Sequence, residues 1–206
     1  TMILEAVAET DEVLMEKYFA DEEITQEEVE NAYKKGIMDQ QIVPVLCGSS
    51  VVGMGIPVLM DTMISLFPSP DEAEKMVAIE KKSEDMVEIA CDESEPTSLF
   101  VFKTVVDPFI GKLSLFKVMT GKVSMDDALV HTQSGEVERL SHLYVLCGKE
   151  QQEVTMLHAG DIGAVPKLKY PTTGDTLCAK GFGKEYLPIT FPEGFVKKAI
   201  FPKGKG

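Results

Sequence analysis

Tryptophan is absent from the chain, and its 206 residues include only four cysteines and three histidines. Cys47, Cys91, Cys147 and Cys178 are far apart and form no CxxC pair. A disulfide framework is therefore not expected. Zinc would need paired ligands at short spacing, and His131, His142 and His158 do not provide them. Three of the cysteines sit inside apolar or strand-like runs, where a thiol behaves as a small hydrophobe, so buried reduced thiols of a cytoplasmic protein are expected. No apolar run is long enough to cross a bilayer. The first residues, TMILEAVAETDEV, are acidic and lack the basic leader and apolar core of a secretory signal. They start inside an amphipathic pattern, as a cut chain would.

Two nucleotide-binding signatures are also missing. Gly48 and Gly53 have the separation of a phosphate loop, but Met54-Gly55 stands where Lys-Ser/Thr must hold phosphate and magnesium. Gly53-x-Gly55 has no third glycine at Val58, so the dinucleotide fingerprint fails as well. The histidines have no nearby nucleophile or orienting acid in the sequence, and no catalytic constellation emerges.

Cations are scarce in one half only. Residues 1–97 hold 23 Asp and Glu against 6 Lys and Arg, while residues 98–206 hold 11 against 14, within a net charge of −14. An acidic half is a poor partner for nucleic acid, because phosphate affinity comes from clustered Lys and Arg. The second half is not excluded from such contact.

Residues 2–19 have helical spacing. Thr25-Gln26-Glu27-Glu28 is a capping box, and Lys34-Lys35-Gly36 reads as the end of that helix with a C′ glycine. Gln41–Cys47 is an apolar β-branched run and reads as a buried strand. A glycine-rich loop, 48–55, leads to a helix with Pro57 near its start and Leu59, Met60, Met63, Ile64 and Phe67 on one stripe. Strand, loop and helix in this order are the local pattern of a doubly wound α/β sheet. Residues 69–97 are polar and acidic and read as a linker with one short strand.

From Ser98 the pattern changes. Leu99 to Val106 and Leu113 to Met119 alternate apolar and polar, separated by Asp107-Pro108-Phe109-Ile110-Gly111-Lys112. Pro108 cannot donate to a ladder, so the two runs read as an antiparallel hairpin. Further short strands alternate with turns up to about residue 182, implying a closed barrel or sandwich. Residues 195–201 read as one more strand.

Several phrases resemble one family. Asp107–Leu113, Phe116-Lys117-Val118…Gly121, Ala159-Gly160-Asp161-Ile162 and Thr172–Cys178 are similar, in order and spacing, to the second domain of elongation factor G. Ala8–Tyr18 resembles the helical insert of that factor's GTPase domain. Pro44–Ser50 resembles its strand and fifth guanine-nucleotide motif, Leu66–Pro70 its last helix, and Ile189–Glu193 the start of its third domain. The words Leu146-Cys147-Gly148-Lys149 are closer to elongation factor G-like paralogues than to the usual Met-His-Ala-Asn.

The resemblance implies an α+β multi-domain chain. A partial α/β GTPase domain (helical insert, one strand, last helix) at 1–68 and a linker at 69–97 precede an antiparallel β-barrel of the translation-factor second-domain type at 98–182. The start of a third domain follows at 183–206. The parent would be a ribosome-binding GTPase that moves tRNA and mRNA, cytoplasmic and monomeric, with GTP and magnesium as its cofactors and no DNA or membrane partner. The section alone would hold no cofactor. Ser49, Ser50 and Val51 would form the guanine-contacting loop. Lys103, Lys112, Lys117 and Lys122, in or beside the hairpin, are candidates for RNA contact. A ribosomal-protection or release-type GTPase, or a non-enzymatic β-barrel interaction module, would fit the same residues.

Overall fold

The computed structural model describes residues 2–73, 75–107, 111–148, 150–201, 203 and 204. The chain divides into two compact units, Thr1–Ala73 and Glu74–Gly206.

The first unit is helical. The 2–19 segment forms two helices, α1 (Met2–Ala8) and α2 (Glu12–Phe19), because Asp11 starts a new one: its Oδ1 accepts from the N–H groups of Val13 (3.0 Å) and Leu14 (3.2 Å). Helix α3 (Gln26–Met38) opens on the expected box, Thr25 Oγ1 accepting from Glu28 N while Glu28 accepts from Thr25 N. Gly36 does not end this helix. It is buried inside it, and a Cβ there would lie 2.6 Å from Ile42 Cδ1, so the glycine makes room for the returning chain. Val7, Ala8, Leu14 and Ala32 form a small core.

The run 41–47 is not a strand. It has no regular secondary structure and is largely exposed, Val43 at 80% and Val45 at 86%. A β-branched run becomes a strand only beside a neighbour that completes its ladder. Among the described residues the single bridge here is Ser49–Met54, across the loop that follows. Helix α4 (Ile56–Leu66) has Pro57 in its first turn, and none of its residues is buried.

The second unit is all β. Two long strands, β3 (Ser98–Asp107) and β4 (Gly111–Thr120), pair antiparallel as the alternation requires. Pro108, Phe109 and Ile110 lie outside the described residues. Around the hairpin run β5 (Lys122–Ser124), β6 (Ala128–His131), β7 (Val137–Arg139), β8 (Leu143–Cys147), β9 (Glu150–Val154), β10 (Met156–His158), β11 (Ile162–Pro166) and β12 (Thr176–Cys178). The order of the large sheet is β7-β6-β12-β3-β4-β11-β8-β9, and β5 pairs with β10. Leu99, Val101, Phe116, Val118, Leu140, Leu157 and Leu177, from strands across the sheet and the connections between them, share one buried cluster. A flat sheet cannot bring them together, so it curls into a barrel.

The expected linker holds two strands, β1 (Met76–Glu80) and β2 (Met86–Ile89), rather than one. Strand β1 also pairs with β13 (Lys184–Tyr186), more than 100 residues on, and Ala78 and Ile89 bury against Met119 and Tyr186. Residues 195–201 form no strand. Two cysteines differ from the expected burial: Cys178 is buried, but Cys47 and Cys147 are exposed. Among the described residues no helix is long and apolar enough to cross a membrane.

Candidate functional site

The hairpin β3–β4 is held by a device that occurs twice. Gly160 N–H donates to Val118 O (2.8 Å) and Val118 N–H donates to Asp161 O (2.9 Å). On the other strand, Gly174 N–H donates to Val101 O (2.7 Å) and Val101 N–H to Asp175 O (2.9 Å). Each Gly-Asp pair clasps one strand residue by its backbone. Each aspartate also closes its own turn, Asp161 Oδ2 accepting from His158 N and Asp175 Oδ2 from Thr172 N. Both clasped valines are in the barrel core.

The hairpin's far end is tied down at Gly121, whose φ of 71° favours glycine and where a Cβ would lie 2.7 Å from Glu95 O. Behind it runs a buried hydroxyl chain: Tyr186 Oη to Ser98 Oγ (2.7 Å), Ser98 Oγ to Thr120 Oγ1 (2.6 Å), and Thr120 Oγ1 donating to Pro96 O (2.7 Å). Burial pushes the Tyr186 phenol up to about 12.

The four candidate lysines do not form one cluster. Lys117 pairs with Phe100 and with Ile162, and Lys103 pairs with Leu115 two positions away, so both stand on the outer face. Lys112 has the opposite parity, at the connection end of the hairpin, and its Nζ donates to Pro171 O (2.6 Å). Lys122 belongs to β5, and its Nζ donates to Glu93 Oε2 (2.9 Å). Lys122 and, less strongly, His158 hold the Glu93 carboxyl below its usual range. Sequence reasoning missed Lys167 and Lys169. Lys167 N–H donates to Lys112 O (2.8 Å), which brings Lys167 to the connection end of the hairpin, and buried Glu138 fixes this loop by accepting from Lys169 N and Tyr170 N. Their signal in the sequence is the Lys-Leu-Lys-Tyr phrase at 167–170.

His131, expected to have no hydroxyl or acid beside it, is buried between one of each. His131 Nδ1 lies 2.8 Å from Ser134 Oγ and its Nε2 lies 3.1 Å from Asp175 Oδ2. In a neutral ring the acceptor-only carboxylate assigns the proton to Nε2, and Nδ1 then accepts from Ser134. Ser, His and Asp here brace two loops. Ser134 Oγ also accepts from Glu136 N within the same turn, and Asp175 Oδ2 already accepts twice from Thr172.

In the helical unit, Ser49 N–H donates to Met54 O (2.8 Å) and Val51 is exposed at the tip between them. Gly48 and Gly55 permit this tight crossing, since a Cβ on Gly55 would stand 2.7 Å from Cys47 O. Ser50 and Val51 are exposed, but the loop's own residues include no lysine or arginine to meet a phosphate. Among the described residues no group of three or more His, Cys, Asp or Glu could hold a metal ion. The loop at 48–55 therefore supplies no cationic side chain to a triphosphate.

A curled antiparallel barrel with a clasped central hairpin, next to a small three-stranded sheet, is the second-domain barrel of translation factors. Residues 96–180 match the family described as elongation factor G domain 2. A crystal structure of a protein from Thermus thermophilus is similar over 98% of this chain, with 31% identity and a TM-score of 0.73. The chain spans 28% of that protein's length. Residues 96–180 therefore form a domain of the elongation factor G domain 2 family.

Proposed function

We propose that the chain is a section of a ribosome-binding, cytoplasmic translational GTPase that acts in translocation of tRNA and mRNA. The observation that carries this reading is the match of residues 96–180 to elongation factor G domain 2. In this reading the barrel docks on ribosomal RNA and couples it to a GTPase domain. Lys103, Lys112 and Lys117 supply phosphate contacts. Lys122 is the weakest of the four candidates, because Glu93 already compensates its charge. The 206-residue chain neither binds nor hydrolyses GTP. Micromolar binding of a fluorescent guanine nucleotide would refute that.

Docking is tested by co-sedimentation with ribosomes at several salt concentrations, comparing the protein with its Lys112→Glu/Lys117→Glu variant. Loss of two phosphate contacts should weaken binding and flatten the log–log salt slope by about 1.5. Unchanged affinity across the salt series would exclude these lysines.

A further inference from the structure

A cavity of about 490 Å³ opens at the edge of the barrel, beside β6, β7 and the 179–183 loop that leads into β13. Its volume is in the range of small-molecule sites. Val130, Val137, Ala179 and Phe182 give it an apolar floor, and Lys81, Lys180 and Lys184 stand around it. Among the described residues no aspartate or glutamate lines it, in a chain whose net charge is −14. Glu185 reaches one of these cations, its Oε2 lying 3.3 Å from Lys81 Nζ, and Lys81 also donates to Thr132 O. Lys180 is exposed. Lys184 Nζ lies 5.6 Å from the centre of the Phe182 ring, which packs on Tyr186 with ring centres 6.3 Å apart.

Two properties of this cavity restrict what it can take. A simple inorganic anion would leave the apolar floor unfilled. A wholly apolar ligand would leave uncompensated cations beside it. A molecule with a flat apolar body and a phosphate meets both conditions, since a ring can lie against Phe182 and Val130 while Lys180 and Lys184 neutralise the charge. We propose that this cavity binds a nucleoside phosphate, as a free mononucleotide or as an unpaired nucleotide of an RNA strand. Cys178 lines the same space, but burial raises its thiol pKa, so the site binds without covalent capture. This inference does not rest on ribosome docking, and a failed sedimentation experiment leaves it standing.

The test is an amide-resolved NMR titration of the full 206-residue chain. The probes are adenosine 5′-monophosphate, adenosine, inorganic phosphate and a short single-stranded oligoadenylate. The monophosphate should shift the amides of Val130, Gly181, Phe182 and Gly183. Adenosine and phosphate alone should bind at least about tenfold more weakly. Lys180→Glu, on an exposed loop side chain, and Lys180→Glu/Lys184→Glu should each weaken the monophosphate, the double variant by at least about tenfold. Tighter binding of the oligoadenylate than of the mononucleotide identifies an RNA strand as the source, and equal binding identifies the free nucleotide. The proposal is overturned by any of three results: no shifts at those amides, phosphate binding as tightly as the monophosphate, or unchanged binding by a double variant whose remaining spectrum is native.

Discussion

The helical unit and the barrel unit are built on different balances of forces. In the helical unit the buried apolar cluster is only Val7, Ala8, Leu14 and Ala32, and polar contacts at the surface complete the structure. Asp11 and Thr25 start helices, Lys17 pairs with Glu28 (2.5 Å), and Lys34 holds both oxygens of Glu72 (2.7 and 2.9 Å). The barrel unit has a twelve-residue apolar cluster and uses backbone clasps to fix its strands. A small core leaves stability to caps and ion pairs, each worth little alone. A large core tolerates polar changes at its surface but not a void inside.

The sharpest way to separate the two is Phe116→Ala. Phe116 is fully buried in the cluster, and its truncation should cost the barrel about 3–5 kcal/mol. The loss of the β signal in urea should come earlier while the helical transition stays where it was. Movement of both transitions together would show that the units unfold as one.

Gly121→Ala tests the clamped end of the hairpin. It combines a left-handed backbone with contact against Glu95 O and Thr97 Cα, at a cost of roughly 2 kcal/mol or more. An alanine variant with native stability would show that the 95–97 segment yields easily.

Thr25→Ala should remove about 1 kcal/mol from the helical unit only, read from its thermal midpoint. An equal shift of the barrel would contradict the separation.

The smallest effects are in pH. Lys17, followed by Thr25, holds the Glu28 carboxyl at about 2, and Lys34, followed by Ser69, does the same for Glu72. Both folded values lie below the ordinary 4.5, so the contribution is full above 4.5 and is lost as pH falls towards about 2. Helical signal should fall in that window, and less steeply in Glu28→Gln/Glu72→Gln. Tyr186 is opposite in sign. Its folded value is raised, so its contribution is full below the ordinary 10.0 and is lost as pH rises through about 12. Tyr186→Phe should flatten that alkaline loss in the barrel signal.

Local devices were legible in the sequence. Thr25 and Glu28 lie three residues apart, and the hairpin announces itself by alternation on both sides of Pro108. What depends on a distant partner was not legible. Met76–Glu80 is a strand because Met86–Ile89 and the distant Lys184–Tyr186 pair with it, whereas 41–47 has the composition of a strand and no neighbour among the described residues to make it one. Gly36 looked like a helix stop because the approach of Ile42 cannot be read locally. The site followed the same rule. Lys103, Lys112, Lys117 and Lys122 were visible as residues, but their separation onto different faces depends on the register of β4 and on Glu93. His131 and Asp175 meet across 44 residues, and nothing in their spacing marks the contact.

The paired Gly-Asp clasps also say how this hairpin can vary. Each reads only the main chain of Val101 or Val118, so the clasp is blind to the side chain it holds. Mutation can therefore rewrite the outward positions of β3 and β4, and change the length of the connection between them, without shifting the strands' frame. A recogniser for distant relatives is best keyed to two Gly-Asp pairs fourteen residues apart, at Gly160 and Gly174, rather than to the hairpin's own letters.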